Sequence, residues 1–261
     1  MPILIRTSLV AAALLASMAP SMAAPVEARA SYVLTLGGIN VATLDVDLSD
    51  DGRRYELDLS AKVAGLGNLV SSGTAKVVAR GASNGQNLVS NEFDLETRAN
   101  GEVFTVDVTY AGQNVSAFKV EPPVFESYDR VPLERGHLSG VGDFLSAFVV
   151  KGKALDKSLC DRRLKIFTGV ERFNIAMSFA RNDEATSPRT GYQGPVVSCS
   201  LDYQPISGHY TSSEITNYLA ENSRILLWYA PLGETGYYIP YRVLLGTSMG
   251  DLSMVLVGTK L

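Results

Sequence analysis

Apolar residues recur at every second position through most of this 261-residue chain. Tyr32, Leu34 and Leu36 lead into Gly37-Gly38, and Leu44, Val46 and Leu48 return. Asp50-Asp51-Gly52 turns the chain, and Tyr55, Leu57, Leu59, Ala61 and Val63 form the next face. After Phe93 and Leu95, Asn100-Gly101 supplies a two-residue hairpin turn, because both residues tolerate positive φ. Phe104, Val106, Val108 and Tyr110 line the returning strand, and Val115 to Val120 form another. Near the end, Ile225, Leu227 and Tyr229, then Val243 and Leu245, then Leu252, Met254 and Leu256 repeat the rhythm. Side chains two apart share one face of a strand. A chain written this way folds into antiparallel sheet, one face apolar and one wet, with about a dozen strands.

One segment breaks the period. From Gly140 to Val150, apolar residues fall at Val141, Phe144, Leu145, Phe148 and Val149, the spacing of one helix face. Ser139 would cap that helix and Gly152 would end it. It needs an apolar surface to lie on, which the concave side of a curled sheet supplies. A second short helix is expected near Ser212 to Glu221.

The two cysteines, Cys160 and Cys199, sit in alternating runs. Cys160 shares parity with Leu164 and Ile166, and Cys199 with Val197, Leu201 and Tyr203, so both sulfurs face the apolar side. They read as one disulfide between strands. A redox or metal pair would call for Cys-x-x-Cys or a histidine at ligand spacing, and neither stands here.

Residues 1–23 have the form of a secretory signal: Arg6, the apolar run Leu9 to Ala16, and the small-x-small site Ser21-Met22-Ala23. The apolar run is short for a bilayer span, and no second long run follows, so the chain reads as not membrane-spanning. Residues 24–261 read as a single domain, exported and soluble in the periplasm, where the oxidising conditions fit a disulfide. The whole chain carries 23 Lys+Arg against 27 Asp+Glu, and loss of Arg6 leaves a net charge of −5. That mild acidity gives no case for nucleic acid, which calls for a basic stripe.

Several motifs read as ordinary structure. Gly246-Thr247-Ser248-Met249-Gly250 matches a nucleophile elbow, but a strand follows it and both histidines lie upstream, so it reads as a hairpin turn. Asp47 to Gly52 resembles the start of a calcium loop, yet both flanks alternate with period two, which reads as an Asp-Gly hairpin. His137 and His209 lie beside glycines in polar loops and read as surface residues. No catalytic set, metal site or cofactor is expected. Trp228, Tyr229, Tyr237, Tyr238 and Tyr241 crowd together, which suits either a binding surface or cross-strand packing.

Taken in order, Asp143-Phe-Leu145-Ser146, Cys160, Gly169-Val-Glu-Arg172-Phe173, Cys199, Pro205-Ile-Ser-Gly208 and Pro240-Tyr-Arg242 resemble the exported bacterial proteins grouped as domain-of-unknown-function family 3108. Thr168, where Asp is expected before the turn glycine, and Phe144, where Pro is common, depart from that pattern. The resemblance implies a large antiparallel sheet curled into an open barrel or spiral, in a Gram-negative periplasm; with the helix read over 140–150, the expected fold is all-β, an open barrel or β-spiral with one central helix. It assigns no catalytic residues. The architecture is similar to periplasmic lipoprotein carriers and envelope-integrity proteins.

The expected function is therefore non-enzymatic support of the cell envelope. It would act by binding an apolar ligand (a lipid or lipidated protein) or an envelope protein, with Val141, Phe144, Leu145 and Phe148 and the aromatic group as the surface. A ligand-free scaffold is the alternative, and an enzyme comes third. A carrier needs an unfilled apolar cavity beneath 141–150, whereas a scaffold fills it.

Overall fold

In the computed structural model, residues 25–261 are described, apart from 66, 68–71, 222–223 and 248–249. The signal reading falls on residues outside that set. The first seven strands run as a continuous meander: β1 (Val26–Leu36), β2 (Ile39–Asp50), β3 (Arg54–Val63), β4 (Gly73–Ser83), β5 (Leu88–Ala99), β6 (Glu102–Ala111) and β7 (Asn114–Glu121). After a long crossing come β8 (Val150–Lys151), β9 (Arg162–Phe167), β10 (Arg172–Ala185), β11 (Gly194–Ser207), α1 (Glu214–Glu221), β12 (Ile225–Pro231), β13 (Tyr237–Leu245) and β14 (Leu252–Lys260). They form one sheet ordered β7-β6-β5-β4-β3-β2-β1-β14-β13-β12-β11-β10-β9, with β8 joined to β13. Every named strand pair is antiparallel.

The alternation in the sequence becomes a two-faced sheet. On β3, Tyr55 and Leu57 are buried while Arg54 and Glu56 are exposed, and on β6 Val106, Val108 and Tyr110 are buried while Asp107 and Thr109 face water. The wet face carries cross-strand ion pairs such as Arg29–Asp47 at 2.6 Å and Arg80–Glu56 at 2.7 Å. Exposed pairs of this kind contribute at most about 1 kcal/mol each, so the buried face decides the fold. Asn100 and Gly101 take φ of 52° and 88°, as the hairpin turn between β5 and β6 requires. Asp51 closes the β2–β3 turn by accepting from the backbone N–H of Arg53 at 2.8 Å and of Arg54 at 2.7 Å.

The sheet curls but does not close. Its edge strands β7 and β9 do not pair with each other. They are brought together at the seam instead, where Phe118 of β7 stacks edge-on against Phe167 of β9 with ring centroids 5.2 Å apart. The backbone of 139–142 bridges the two edges. Val141 N–H donates to the Gln113 carbonyl at 2.7 Å, Gly142 N–H to Lys165 at 2.9 Å, and Phe167 N–H to Gly142 at 3.1 Å. The β9–β10 turn presses on the inner face of β6. Gly169 sits there at φ +87°, and a Cβ would lie 2.1 Å from Val106 Cγ1, so only glycine fits.

The central helix expected over 140–150 is absent. That stretch holds a turn at 144–145 that runs into one 3-10 turn, Ser146–Phe148, and no α-helix. Pairing of Gly142 with the β9 edge takes the backbone groups a helix would use, and the Asp143 carboxylate holds Ser146 N–H at 2.7 Å. Apolar residues at helical spacing arise here because the irregular strip turns Phe144, Leu145 and Phe148 to one side and Val141 to the other. The α-helix found among the described residues is α1, at the place of the second expected helix.

Cys160 and Cys199 form the disulfide, with Cα atoms 5.3 Å apart and both side chains buried. The bridge does not join two strands, however. Cys160 ends a 3-10 turn, Lys157–Cys160, that is capped by Asp156, and Cys199 lies in β11. Around them Val150, Leu159, Leu164, Ile166, Met177, Val197 and Leu227 form an apolar cluster separate from the core of the meander.

Candidate functional site

The two apolar clusters do not merge everywhere. Between them lies an apolar cavity of about 530 Å³, within the usual range of small-molecule sites. One wall comes from the meander, with Ala28, Ala30, Tyr32, Leu48 and Leu57; the opposite wall comes from the disulfide side, with Phe173, Ile175, Leu201, Ile225 and Leu227. The strip 141–150 borders it with Phe144, Leu145, Phe148 and Val149. Phe144 is 46% exposed and meets Phe148 edge-on, ring centroids 5.4 Å apart, at the border of the cavity. Arg29 and Glu171 are the charged residues along its lining.

The other side of the same strip faces a second, larger cavity of about 1060 Å³, polar by virtue of the charged and amide side chains that stand among Val141, Val150, Leu164 and Ile166 in its lining. Val149 lines both, so the strip is a shared wall. Two hydrogen-bonded knots stand in the polar cavity. In the first, the wholly buried Asp143 carboxylate accepts from the hydroxyls of Ser90 and Ser146, from Ser146 N–H at 2.7 Å and from Tyr55 at 3.5 Å. Burial, reinforced by the nearby Asp143 charge, raises the Tyr55 hydroxyl well above its ordinary pKa. In the second, Asp50 accepts from Ser83 at 2.8 Å, from Gly52 N–H at 2.8 Å, from the Tyr237 hydroxyl and from Lys151 Nζ at 2.6 Å. Burial alone would raise the Asp50 pKa. The bonds from Lys151, Tyr237, Gly52 and Ser83 outweigh it and hold the carboxyl below its usual range. The Lys151 ammonium also lies 5.0 Å from the centre of the Tyr237 ring.

No family model and no curated protein matches this chain. Its fold is similar to a solved structure described as the crystal structure of a beta-barrel-like protein of domain of unknown function DUF1849 from Brucella abortus. The TM-score is 0.50 at 12% sequence identity, and the alignment covers 92% of this chain and 99% of that one. This is a likeness of fold. It supports a mainly antiparallel domain of unknown function and does not single out family 3108.

The aromatic residues expected as a surface are buried and divided between the two faces of the sheet. Tyr229 and Tyr238 pack into the disulfide cluster, while Trp228, Tyr237 and Tyr241 belong to the meander side. Trp228 donates to Asp183 at 2.9 Å, and Tyr241 to the Thr190 hydroxyl at 3.2 Å. Both are therefore covered by the far end of the β10–β11 hairpin. Of the five, Tyr237 lines a cavity, the polar one. Val141 likewise lines the polar cavity, while Phe144, Leu145 and Phe148 line the apolar one. His209 is buried, because the 122–131 crossing packs onto its loop through Val131 N–H to the His209 carbonyl at 2.9 Å. His137 is partly exposed, its Nδ1 accepting from Glu134 N–H at 3.1 Å. Gly246 to Gly250 joins β13 to β14 as a turn, with Ser248 outside the described residues.

Sequence reasoning missed the Asp50–Ser83–Lys151–Tyr237 knot, whose members are far apart in the chain. It quoted Asp143 and Ser146 without seeing their bond. The i, i+3 spacing of a carboxylate and a serine, the pattern of a side-chain turn, was the available signal.

Proposed function

We propose that this protein is an exported, non-enzymatic binding protein of the cell envelope that holds an apolar ligand, the acyl chain of a lipid or lipidated protein. The observation that carries the reading is the apolar cavity of about 530 Å³ beneath Phe144, Leu145 and Phe148. The cavity is partly open to solvent, so without a ligand it would hold water against a wall of aliphatic side chains that offers few hydrogen bonds in return. An apolar occupant removes that cost. A scaffold protein calls for this space to be packed, so its openness supports a carrier.

The disulfide supports an oxidising, exported setting. Among the described residues no helix is long and apolar enough to cross a membrane. The motif order that resembles family 3108 runs through the same elements, since Asp143 to Ser146 forms the wall between the cavities.

The test is direct. Protein purified from its native envelope fraction is extracted with organic solvent and the extract analysed by mass spectrometry. Delipidated protein is then titrated with an environment-sensitive fluorescent fatty acid. Saturable binding by the parent, lost in Ala28→Phe, whose ring would occupy the cavity, is the expected result. No saturable binding, or binding that survives Ala28→Phe in a folded protein, rejects the reading.

A further inference from the structure

The polar cavity carries a charge that the rest of the chain does not. The protein as a whole is acidic, at −4. Lining this cavity are Lys151, Lys153, Arg162, Arg163 and Lys165, against two carboxylates, Asp50 and Asp143. Both carboxylates are buried and occupied by the knots described above, and Lys151 is committed to Asp50. Arg162 donates to the Ala147 carbonyl at 2.9 Å. Lys153, Arg163 and Lys165 form no ion pair among the described residues.

Cations on an edge strand have an ordinary use, since charge there keeps other strands from adding to the sheet. Arg163 and Lys165 lie on the edge strand β9, on one side of it, and that use would account for them. It does not account for Lys153, which lies on the loop after β8 and lines the same cavity. A concave space lined by one sign of charge concentrates ions of the other sign, more strongly than the same charges on a flat surface. The serine, asparagine and glutamine side chains around it, Ser158, Asn84, Asn87, Gln86 and Gln113 among them, offer donors to a hydrated oxyanion.

We infer that the polar cavity binds a phosphate-type oxyanion, the headgroup of an anionic amphiphile whose acyl part passes Val149 into the adjoining apolar cavity. This rests on the proposed apolar-ligand function and adds the class of ligand. The two cavities, one apolar and one lined by five cations, adjoin at Val149, which lines both, and so match the two halves of one such molecule.

The experiment uses the full exported protein and two amphiphiles of equal chain length, a lysophosphatidic acid and a monoacylglycerol, with inorganic phosphate as a third probe. The variant is K153Q/R163Q/K165Q. Its three side chains make no ion pair, so its melting temperature should match the parent's. The parent should bind the lysophosphatidic acid at least tenfold more tightly than the monoacylglycerol. The triple variant should bind both alike, and raising the salt concentration should narrow the gap in the parent. Inorganic phosphate competing with the lysophosphatidic acid, and not with the monoacylglycerol, would support the oxyanion site. Phosphate bound alone as tightly as the lysophosphatidic acid, with the same loss in the variant, would support the site and assign it to the free anion. Equal affinity of the parent for both amphiphiles, or a gap that survives in the variant, overturns the inference while leaving the apolar-ligand reading standing. Failure of the parent to bind either amphiphile overturns both.

Discussion

Lys151 Nζ lies 2.6 Å from the Asp50 carboxylate, with only 11% and 4% of the two side chains exposed to solvent. This pair ties the end of β2 to β8, and β8 ends the strip that separates the two cavities. A buried ion pair is worth little against a well-packed apolar substitute, but removing one member leaves the other charged and unpaired.

Replacing Lys151 with methionine should therefore cost about 3–5 kcal/mol, while the double change Lys151→Met with Asp50→Leu should recover part of that loss, the remainder being the acceptor taken from Ser83, Tyr237 and Gly52 N–H. Chemical denaturation of the two variants against the parent checks this. Equal losses in both would mean that the pair adds nothing beyond its packing.

The same carboxylate predicts the response to acid. Its folded pKa lies below its unfolded value of about 3.9. Its stabilising contribution is complete above that unfolded value and is lost as pH falls through the folded one. Asp47 and Asp183, held down chiefly by bonds from Arg29 and Trp228 respectively, act in the same direction. Stability should thus fall between about pH 5 and pH 2, and Asp50→Asn should flatten part of that slope. Denaturant midpoints measured across this range, for parent and variant, would show parallel slopes if Asp50 played no part.

Cys160 and Cys199 are 39 residues apart in sequence. The chain-entropy model assigns a closed loop of this length about 4 kcal/mol. Cys199→Ser should lower the denaturation midpoint by a comparable amount, and reductant should bring the parent down to the same level. A midpoint unchanged by either treatment would contradict the prediction.

Phe148 borders a cavity, whereas Phe167 is fully buried against Phe118. Phe167→Ala should cost the usual 3–5 kcal/mol of a packed core phenylalanine, roughly. Phe148→Ala should cost about 2 kcal/mol or less, since it deletes atoms that already face open space. It should also weaken retention of the fluorescent fatty acid. A full core-type loss at Phe148, with probe binding unaltered, would place that ring in the core and not at the cavity.

The strands were legible because burial on one face writes period two into the sequence, as at Tyr55 and Leu57 or Val106 and Val108. Asn100-Gly101 was legible because positive φ restricts the choice of residue. The strip 141–150 was misread because its backbone bonds go to Gln113 and Lys165, partners that local spacing does not record. His209 was misread for a similar reason: a loop polar in sequence is covered by a distant crossing. The cavities lay beyond reach, since periodicity assigns a side chain to a face and says nothing of how far the opposite face stands away. The aromatic group gave two readings from sequence, and the cover provided by the β10–β11 hairpin is what places Trp228 and Tyr241 in packing.

The unpaired edges of the sheet bear on how the proposed ligand would enter. A closed barrel has a bore fixed by its strand number and stagger, and widening it means breaking a whole ladder of hydrogen bonds. Here β7 and β9 are held by a few stitches: backbone bonds around Val141 and Gly142, the Phe118–Phe167 contact, and the Tyr110 hydroxyl donating to the Phe167 carbonyl at 3.1 Å. Releasing those stitches would part the edges like the lips of a purse, leaving every strand pair and the disulfide intact. The amides of Val141 and Gly142 should accordingly exchange with solvent sooner than those in the middle of β3 or β12, and slow down when the interior is filled.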